Sequence, residues 1–163
     1  MVIDEKKMEE RDKRRSAYHE AGHAVVCEHF GILWEASIRH VGKPTWEAKA
    51  YRGQVRFLSD TTPFRRSVIA YAGVMAEYIE FDEDENGSDL DDCYDYFDLE
   101  LGNYSDTDRA FITSHPAQNR SMKTAWGILQ KRKELLDRIA SKLLKSWYVK
   151  HDNLPSGSSR RSS

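Results

Sequence analysis

Two histidines four residues apart, with a glutamate directly after the first, are the feature that most constrains this chain. His19, Glu20 and His23 spell the pattern H-E-x-x-H. Residues i and i+4 lie one turn apart on one face of an α-helix. Both imidazoles can therefore bind one Zn²⁺, with Glu20 in reach of a zinc-bound water. The pattern predicts a metal-assisted hydrolase in which His19 and His23 are metal ligands and Glu20 is the general base.

The residues around the motif predict that its helix is buried. They are mostly small or apolar: Tyr18, Ala21, Ala24, Val25 and Val26. Burying imidazole and carboxylate groups costs free energy unless they are paired or bind a metal. This context favours a metal site over the alternative, a charged surface helix that carries two histidines by chance.

The composition predicts one soluble globular domain, because 163 residues with 39% hydrophobic and 32% charged side chains suffice for a modest core. No apolar run reaches the roughly 18 residues that span a bilayer, and charged residues rather than a secretory signal follow Met1-Val2-Ile3. With only two cysteines, Cys27 and Cys93, we expect a cytoplasmic protein without a membrane segment. The net charge of −2 gives no reason to expect nucleic acid as a partner.

The residue pattern predicts a mostly α fold with a small antiparallel β-sheet. Helices are expected over residues 4–30, ending at Gly31, and over 62–81, with Thr62 as N-cap and Pro63 at the first helical position. Residues 35–41 and 53–58 alternate in polarity and predict two paired strands.

The helix over 62–81 is predicted to approach the motif helix closely. Small residues recur in it at every third position, namely Ala70, Gly73 and Ala76. Small residues allow two backbones to approach, and Ala21 and Gly22 of the motif helix are their natural counterpart.

The C-terminal part predicts one long amphipathic helix, whose apolar stripe forms either core or a homo-oligomer contact. The stripe comprises Met122, Ala125, Trp126, Leu129, Leu136, Ile139, Leu143 and Trp147. We expect three regions along the chain: a charged N-terminal helix extension (1–15), the folded domain (16–148) and a disordered tail rich in Ser, Gly and Arg (149–163).

The segment Tyr18-His19-Glu20-Ala21-Gly22-His23-Ala24-Val25-Val26 resembles the zinc helix of the peptidase domain of FtsH-type proteases. The strand pair within 35–58 is similar to that family's short sheet, whose edge receives the peptide substrate. Ala70-Tyr71-Ala72-Gly73-Val74-Met75-Ala76-Glu77 resembles its Gly/Ala-rich helix. The resemblance implies a compact helical zinc-peptidase domain that cleaves polypeptides. The family's ATPase module and membrane anchor are missing from this sequence, so we expect a stand-alone domain that cleaves unfolded or flexible polypeptides without ATP.

The resemblance also implies that a later aspartate is the third zinc ligand. The family signature, Asn-Asp-Leu-Glu-Arg-Ala after a Gly- and Ser-rich turn, is matched by Gly87-Ser88-Asp89-Leu90-Asp91-Asp92-Cys93. A rival match is Tyr104-Ser105-Asp106-Thr107-Asp108-Arg109-Ala110, in which Ser105 is a candidate N-cap. Spacing and helix-start signals favour Asp89, with Asp106 as the runner-up.

Two further hypotheses concern the role of the site. Glu77 either orients a ligand histidine without binding the metal itself or is an ordinary surface glutamate. The alternative to a peptidase is a catalytically inactive zinc-binding protein with a peptidase-like fold and an interaction or regulatory role, because a fold does not guarantee activity.

Overall fold

A computed structural model describes residues 4–45, 48–81, 97 and 104–154. Within these residues helices predominate beside a small antiparallel sheet, which confirms the predicted fold class at that level. The helices are α1 (Glu5–Phe30), α2 (Pro63–Phe81), α3 (Asp106–Thr113), α4 (Gln118–Lys131) and α5 (Lys133–Ser146). The strands are β1 (Trp34–His40), β2 (Tyr51–Phe57) and β3 (Tyr148–Lys150). None of the described helices combines the length and apolar character that crossing a membrane requires.

The ends of α1 are set by local hydrogen bonds, and the predicted stop at Gly31 is confirmed. At the N-terminus Asp4 Oδ1 accepts from the backbone N–H of Lys6 at 3.0 Å. At the C-terminus Gly31 adopts the left-handed conformation with φ 73°, and its N–H donates back to the last turn. The left-handed conformation favours glycine, which explains why the helix ends there. The motif therefore lies in the second half of a continuous helix, where the side chains are buried.

The sheet has the strand order β2-β1-β3, and both pairs are antiparallel. Strand β1 lies in the centre, with Ala36 opposite Val55 of β2 and Val149 of β3. The β1–β2 pair was predicted, whereas β3 was not. Strand β3 and the 3₁₀ turn His151–Asn153 continue regular structure past the predicted boundary at residue 149. Residues 155–163 of the predicted tail lie outside the described residues. A three-residue strand has no local pattern, and it forms because β1 offers a second edge.

The C-terminal amphipathic segment is two helices rather than the one that was predicted. It breaks at Arg132, where φ is −114° and ψ is 35°. The break lets α4 pack against α2 while α5 packs against α1. Most of the apolar stripe is core, and Trp147 at its end is 38% exposed.

The closest helix contact joins α1 to α2 at Gly22. A Cβ built on Gly22 would lie 2.4 Å from the carbonyl oxygen of Ala72 and 2.7 Å from the Cβ of Ala76. Only a residue without a side chain allows this approach. The predicted contact between the small residues of the two helices is thereby confirmed.

Gly22→Ala is expected to destabilise the fold by about 1–3 kcal/mol, because the new methyl group overlaps the α2 backbone. The measurement is the free energy of unfolding from urea denaturation followed by circular dichroism. The matched control is Gly127→Ala inside α4, where an added Cβ meets nothing within 4 Å. This control should stabilise the protein by about 0.5–1 kcal/mol, because alanine restricts the unfolded chain. Similar effects of the two substitutions would contradict the close contact.

Candidate metal centre

Three side chains from two helices converge on one point. His19 and His23 come from α1 and Asp108 comes from α3. Asp108 Oδ2 lies 3.5 Å from Nε2 of each histidine, and the three ligand atoms are within 4.8 Å of one another. Ligand atoms held about 2.0–2.1 Å from a tetrahedral zinc ion are themselves about 3.3–3.5 Å apart. The group is therefore close enough to bind one metal ion.

The other ring nitrogen of each histidine is held by α2. Nδ1 of His19 donates to Glu77 Oε2 at 2.5 Å, and Nδ1 of His23 donates to the carbonyl oxygen of Ile69 at 2.6 Å. These bonds fix the ring orientation and leave the Nε2 lone pairs directed at the shared point. Glu77 thus makes the contact that its orienting role requires, and its Oε1 accepts from Arg15 at 3.2 Å.

Gly73 of α2 leaves the space in which an ion could be held. A Cβ built on Gly73 would lie 2.6 Å from Nε2 of both His19 and His23. Any other residue would place a carbon atom where the two lone pairs point. The residues present fit a metal ion, since a donor set of two imidazoles and one carboxylate surrounds a space that a side chain would fill.

Glu20 lies on α1 beside the metal group but faces β2. A Cβ built on Gly53 of β2 would lie 2.5 Å from Glu20 Oε2. Because glycine has no Cβ, the carboxyl group of Glu20 can lie against the strand. Glu20 is 7% exposed, and burial raises its pKa above the usual value although His19 and His23 oppose the shift. A raised pKa makes a carboxyl group better able to hold a proton, which is a requirement for general acid–base chemistry.

The electrostatics of the cluster favour a positive charge at its centre. Burial raises the pKa of the Asp108 carboxyl group, but His23 and His19 outweigh burial and hold it well below its usual range. Burial lowers the pKa of both imidazoles, but Asp108 at each ring and Glu77 at His19 outweigh it, so both values are raised. Protons and a metal cation would therefore compete for the same nitrogen atoms.

The outcome differs for the two aspartates that were predicted as candidates for the third ligand. Asp89 lies outside the described residues. Asp106 is exposed at the first position of α3 and does not join the histidines, whereas Asp108, two residues later, is 7% exposed and does. The rival segment 104–110 thus reaches the histidines through a different aspartate from the one proposed.

Helical phase explains why Asp108 rather than Asp106 points inwards. Ser105 caps α3 as predicted, and its Oγ accepts from the backbone N–H of Asp108 at 3.1 Å. The buried residues of α3 are Asp108 and Ile112, which lie one turn apart on the same face. The apolar Ile112 four residues later was the sequence signal that could have identified Asp108.

A scan of models of known protein families finds no match to this chain, and neither does a search of curated proteins. Its function has to be inferred from the residues of the site.

Asp108→Ala is expected to abolish stoichiometric Zn²⁺ binding, because it removes one of three ligand groups. Asp106→Ala and Asp89→Ala should keep one equivalent. The measurement is metal content by atomic absorption after dialysis, with circular dichroism to show that each variant is folded. Zinc retained by the Asp108 variant and lost from the Asp89 variant would make Asp89 the third ligand instead.

Gly73→Ala is expected to weaken Zn²⁺ binding at least about tenfold, because the added methyl group meets both Nε2 atoms. A competitive titration with a chromophoric chelator measures the affinity. Gly127→Ala adds the same methyl group to a helix remote from the histidines and should leave the affinity unchanged. An unaltered affinity in the Gly73 variant would show that the ion is held elsewhere.

Proposed function

We propose that this chain is a zinc-dependent metalloendopeptidase with an FtsH-like peptidase domain, which cleaves unfolded or flexible polypeptides without ATP. The observation that carries the proposal is the meeting of Asp108 with both histidines of the H-E-x-x-H motif, while Glu20 is left out of the ligand group and held beside it. A motif alone is a weak signal, and the convergence of a third ligand strengthens it.

The donor set supports zinc as the metal. His19, His23 and Asp108 would hold it through two nitrogen atoms and one oxygen atom, and three protein ligands with one open position are typical of catalytic zinc. When bound, zinc would polarise a peptide carbonyl and lower the pKa of a water molecule to about 7. The hydrogen bonds at Nδ1 keep both imidazoles in the tautomer that can bind a metal.

Glu20 would move the protons of the reaction. Its carboxylate accepts the proton of the attacking water, and the resulting acid donates a proton to the leaving amine. The surroundings suit both steps, since burial raises the pKa of Glu20 and thus makes the protonated form accessible. The missing side chain at Gly53 lets the carboxyl group lie directly against β2.

The edge strand β2 would bind the substrate. It lies at one side of the sheet, where an extended peptide can add itself by backbone hydrogen bonds with little demand on sequence. Gly53 is part of β2 and touches Glu20, so a peptide added there would pass close to the proton acceptor. Such binding requires an extended chain, which supports unfolded or flexible polypeptides as substrates.

Glu20→Gln is expected to retain one equivalent of Zn²⁺ and to lose about 10²–10⁴-fold in kcat, because the amide cannot accept the proton of water. The assay follows cleavage of a denatured, fluorescently quenched polypeptide by metal-replete protein without ATP. Glu10→Gln makes the same change at an exposed position of α1 and should cleave like the wild type.

Two results would contradict the proposal. Undiminished turnover by pure, zinc-loaded Glu20→Gln would remove Glu20 from the reaction. Wild-type protein that binds zinc but cleaves no denatured polypeptide would favour the alternative, a zinc-binding interaction or regulatory protein. Chelation should stop cleavage, and added Zn²⁺ should restore it.

A further inference from the structure

A strip of positive charge leads away from the candidate metal centre. The cleft over the centre is lined in part by Arg15, Lys49 and Arg52. A neighbouring cavity of about 620 Å³ is lined in part by Arg39, Lys43, Lys49 and Arg52. The two share Lys49, Tyr51 and Arg52, so they adjoin each other along β2. We call the two together the basic groove and define it by Arg15, Arg39, Lys43, Lys49 and Arg52.

The charge of the basic groove is local. The whole chain has a net charge of −2, yet the described residues that line the second cavity include four cationic side chains and no carboxylate. On the adjoining face of α1, Asp12 accepts from the backbone N–H of Ala50 and Glu9 lies 3.2 Å from His40. These acidic groups therefore already have partners of their own.

The sheet register places two of the cations directly opposite each other. Arg39 of β1 is the cross-strand partner of Arg52 of β2, and both side chains are exposed. Like charges at opposed positions of an antiparallel pair destabilise it. An acidic group bound between them would relieve this repulsion, which points to an anionic occupant.

A polypeptide fits the groove better than a nucleic acid does. The groove ends in the cleft that Glu20 and Glu77 also line, and their carboxylates would repel a ligand with a negative charge on every unit. The ring of Tyr51 is already in T-shaped contact with the rings of His40 and Trp147, which leaves it less available for stacking on a base. The edge of β2, by contrast, suits an extended peptide backbone.

We propose that the basic groove selects polypeptide segments with Asp and Glu side chains on the part of the chain that lies along Tyr51 and Arg52. Acidic side chains there would meet Arg39, Lys49 and Arg52, while the peptide bond to be cleaved lies at Glu20. The cleavage part of this proposal rests on the proposed function, whereas the binding preference does not.

Zinc-loaded Glu20→Gln protein allows binding to be measured without cleavage. The probes are three fluorescein-labelled peptides long enough to cover the seven residues of β2, identical except for Glu, Gln or Lys at the same positions. Fluorescence anisotropy should show the Glu peptide binding about tenfold more tightly than the Gln peptide, with the Lys peptide weakest. The difference should shrink as salt is added.

Charge reversal in the groove locates the preference. Arg39→Glu and Arg52→Glu, each added to Glu20→Gln, should remove most of the difference between the Glu and Gln peptides. Lys123→Glu is the matched control, because Lys123 is exposed on α4 and lines a cavity that shares no residue with the groove. It should leave the preference unchanged.

The proposal would be overturned if the Glu and Gln peptides bind equally or if none of the peptides binds. It would also be overturned if the Lys123→Glu control loses the difference in affinity to the same extent as the groove variants. So would a single-stranded oligonucleotide that binds more tightly than the Glu peptide and displaces it. Cleavage by the wild type separates the two ideas. If the peptides bind equally and are cleaved with equal kcat/KM, the proposed acidic preference is wrong while the proposed peptidase activity stands. If the Glu peptide binds tightly and selectively but no peptide is cleaved, the acidic preference stands while the peptidase activity is wrong.

Discussion

The contact between α1 and α2 is the constraint on which the site depends. At Gly22 the two backbones approach until the α2 carbonyl of Ala72 occupies the place of a side chain. This approach brings α2 close enough for Ile69 and Glu77 to accept from the two histidines of α1. The same helix contributes Gly73, which leaves the space in front of both Nε2 atoms. One helix pair therefore orients both imidazoles and leaves the room in which an ion could be held.

Charge balance explains why the cluster would suit a cation. The residues Glu20, His23 and Asp108 are each less than 10% exposed, so their polar groups have lost most of their contact with water. Buried carboxylates are costly unless an opposite charge or hydrogen-bond donors offset their desolvation. The carboxylates raise the pKa of both imidazoles, so a positive charge on the rings is favoured there. A divalent ion would supply it more fully, so metal binding and the stability of the fold are expected to be coupled.

The sheet joins the metal centre to the surface that we propose for substrates. Gly53 allows β2 to contact Glu20, and the neighbouring Arg52 of the same strand is part of the basic groove. Because β2 is at the edge of the sheet, its backbone can pair with another chain. In the function that we propose, proton transfer, peptide alignment and charge selection would all involve this one strand.

The sequence by itself determined the elements whose signals are local: the limits of α1, the H-E-x-x-H pair, the β1–β2 pairing and the small residues that let α2 approach. Each depends on caps, periodicity or side-chain size within one segment. Tertiary structure decided the rest. Asp108 rather than Asp106 faces the histidines because the cap at Ser105 sets the phase of α3. The long amphipathic segment breaks at Arg132 because its halves pack on different helices, and β3 forms because β1 has a free edge. Contacts between distant segments create the break and β3, so no local pattern predicts them, and the packing of α3 decides that its buried face meets the histidines.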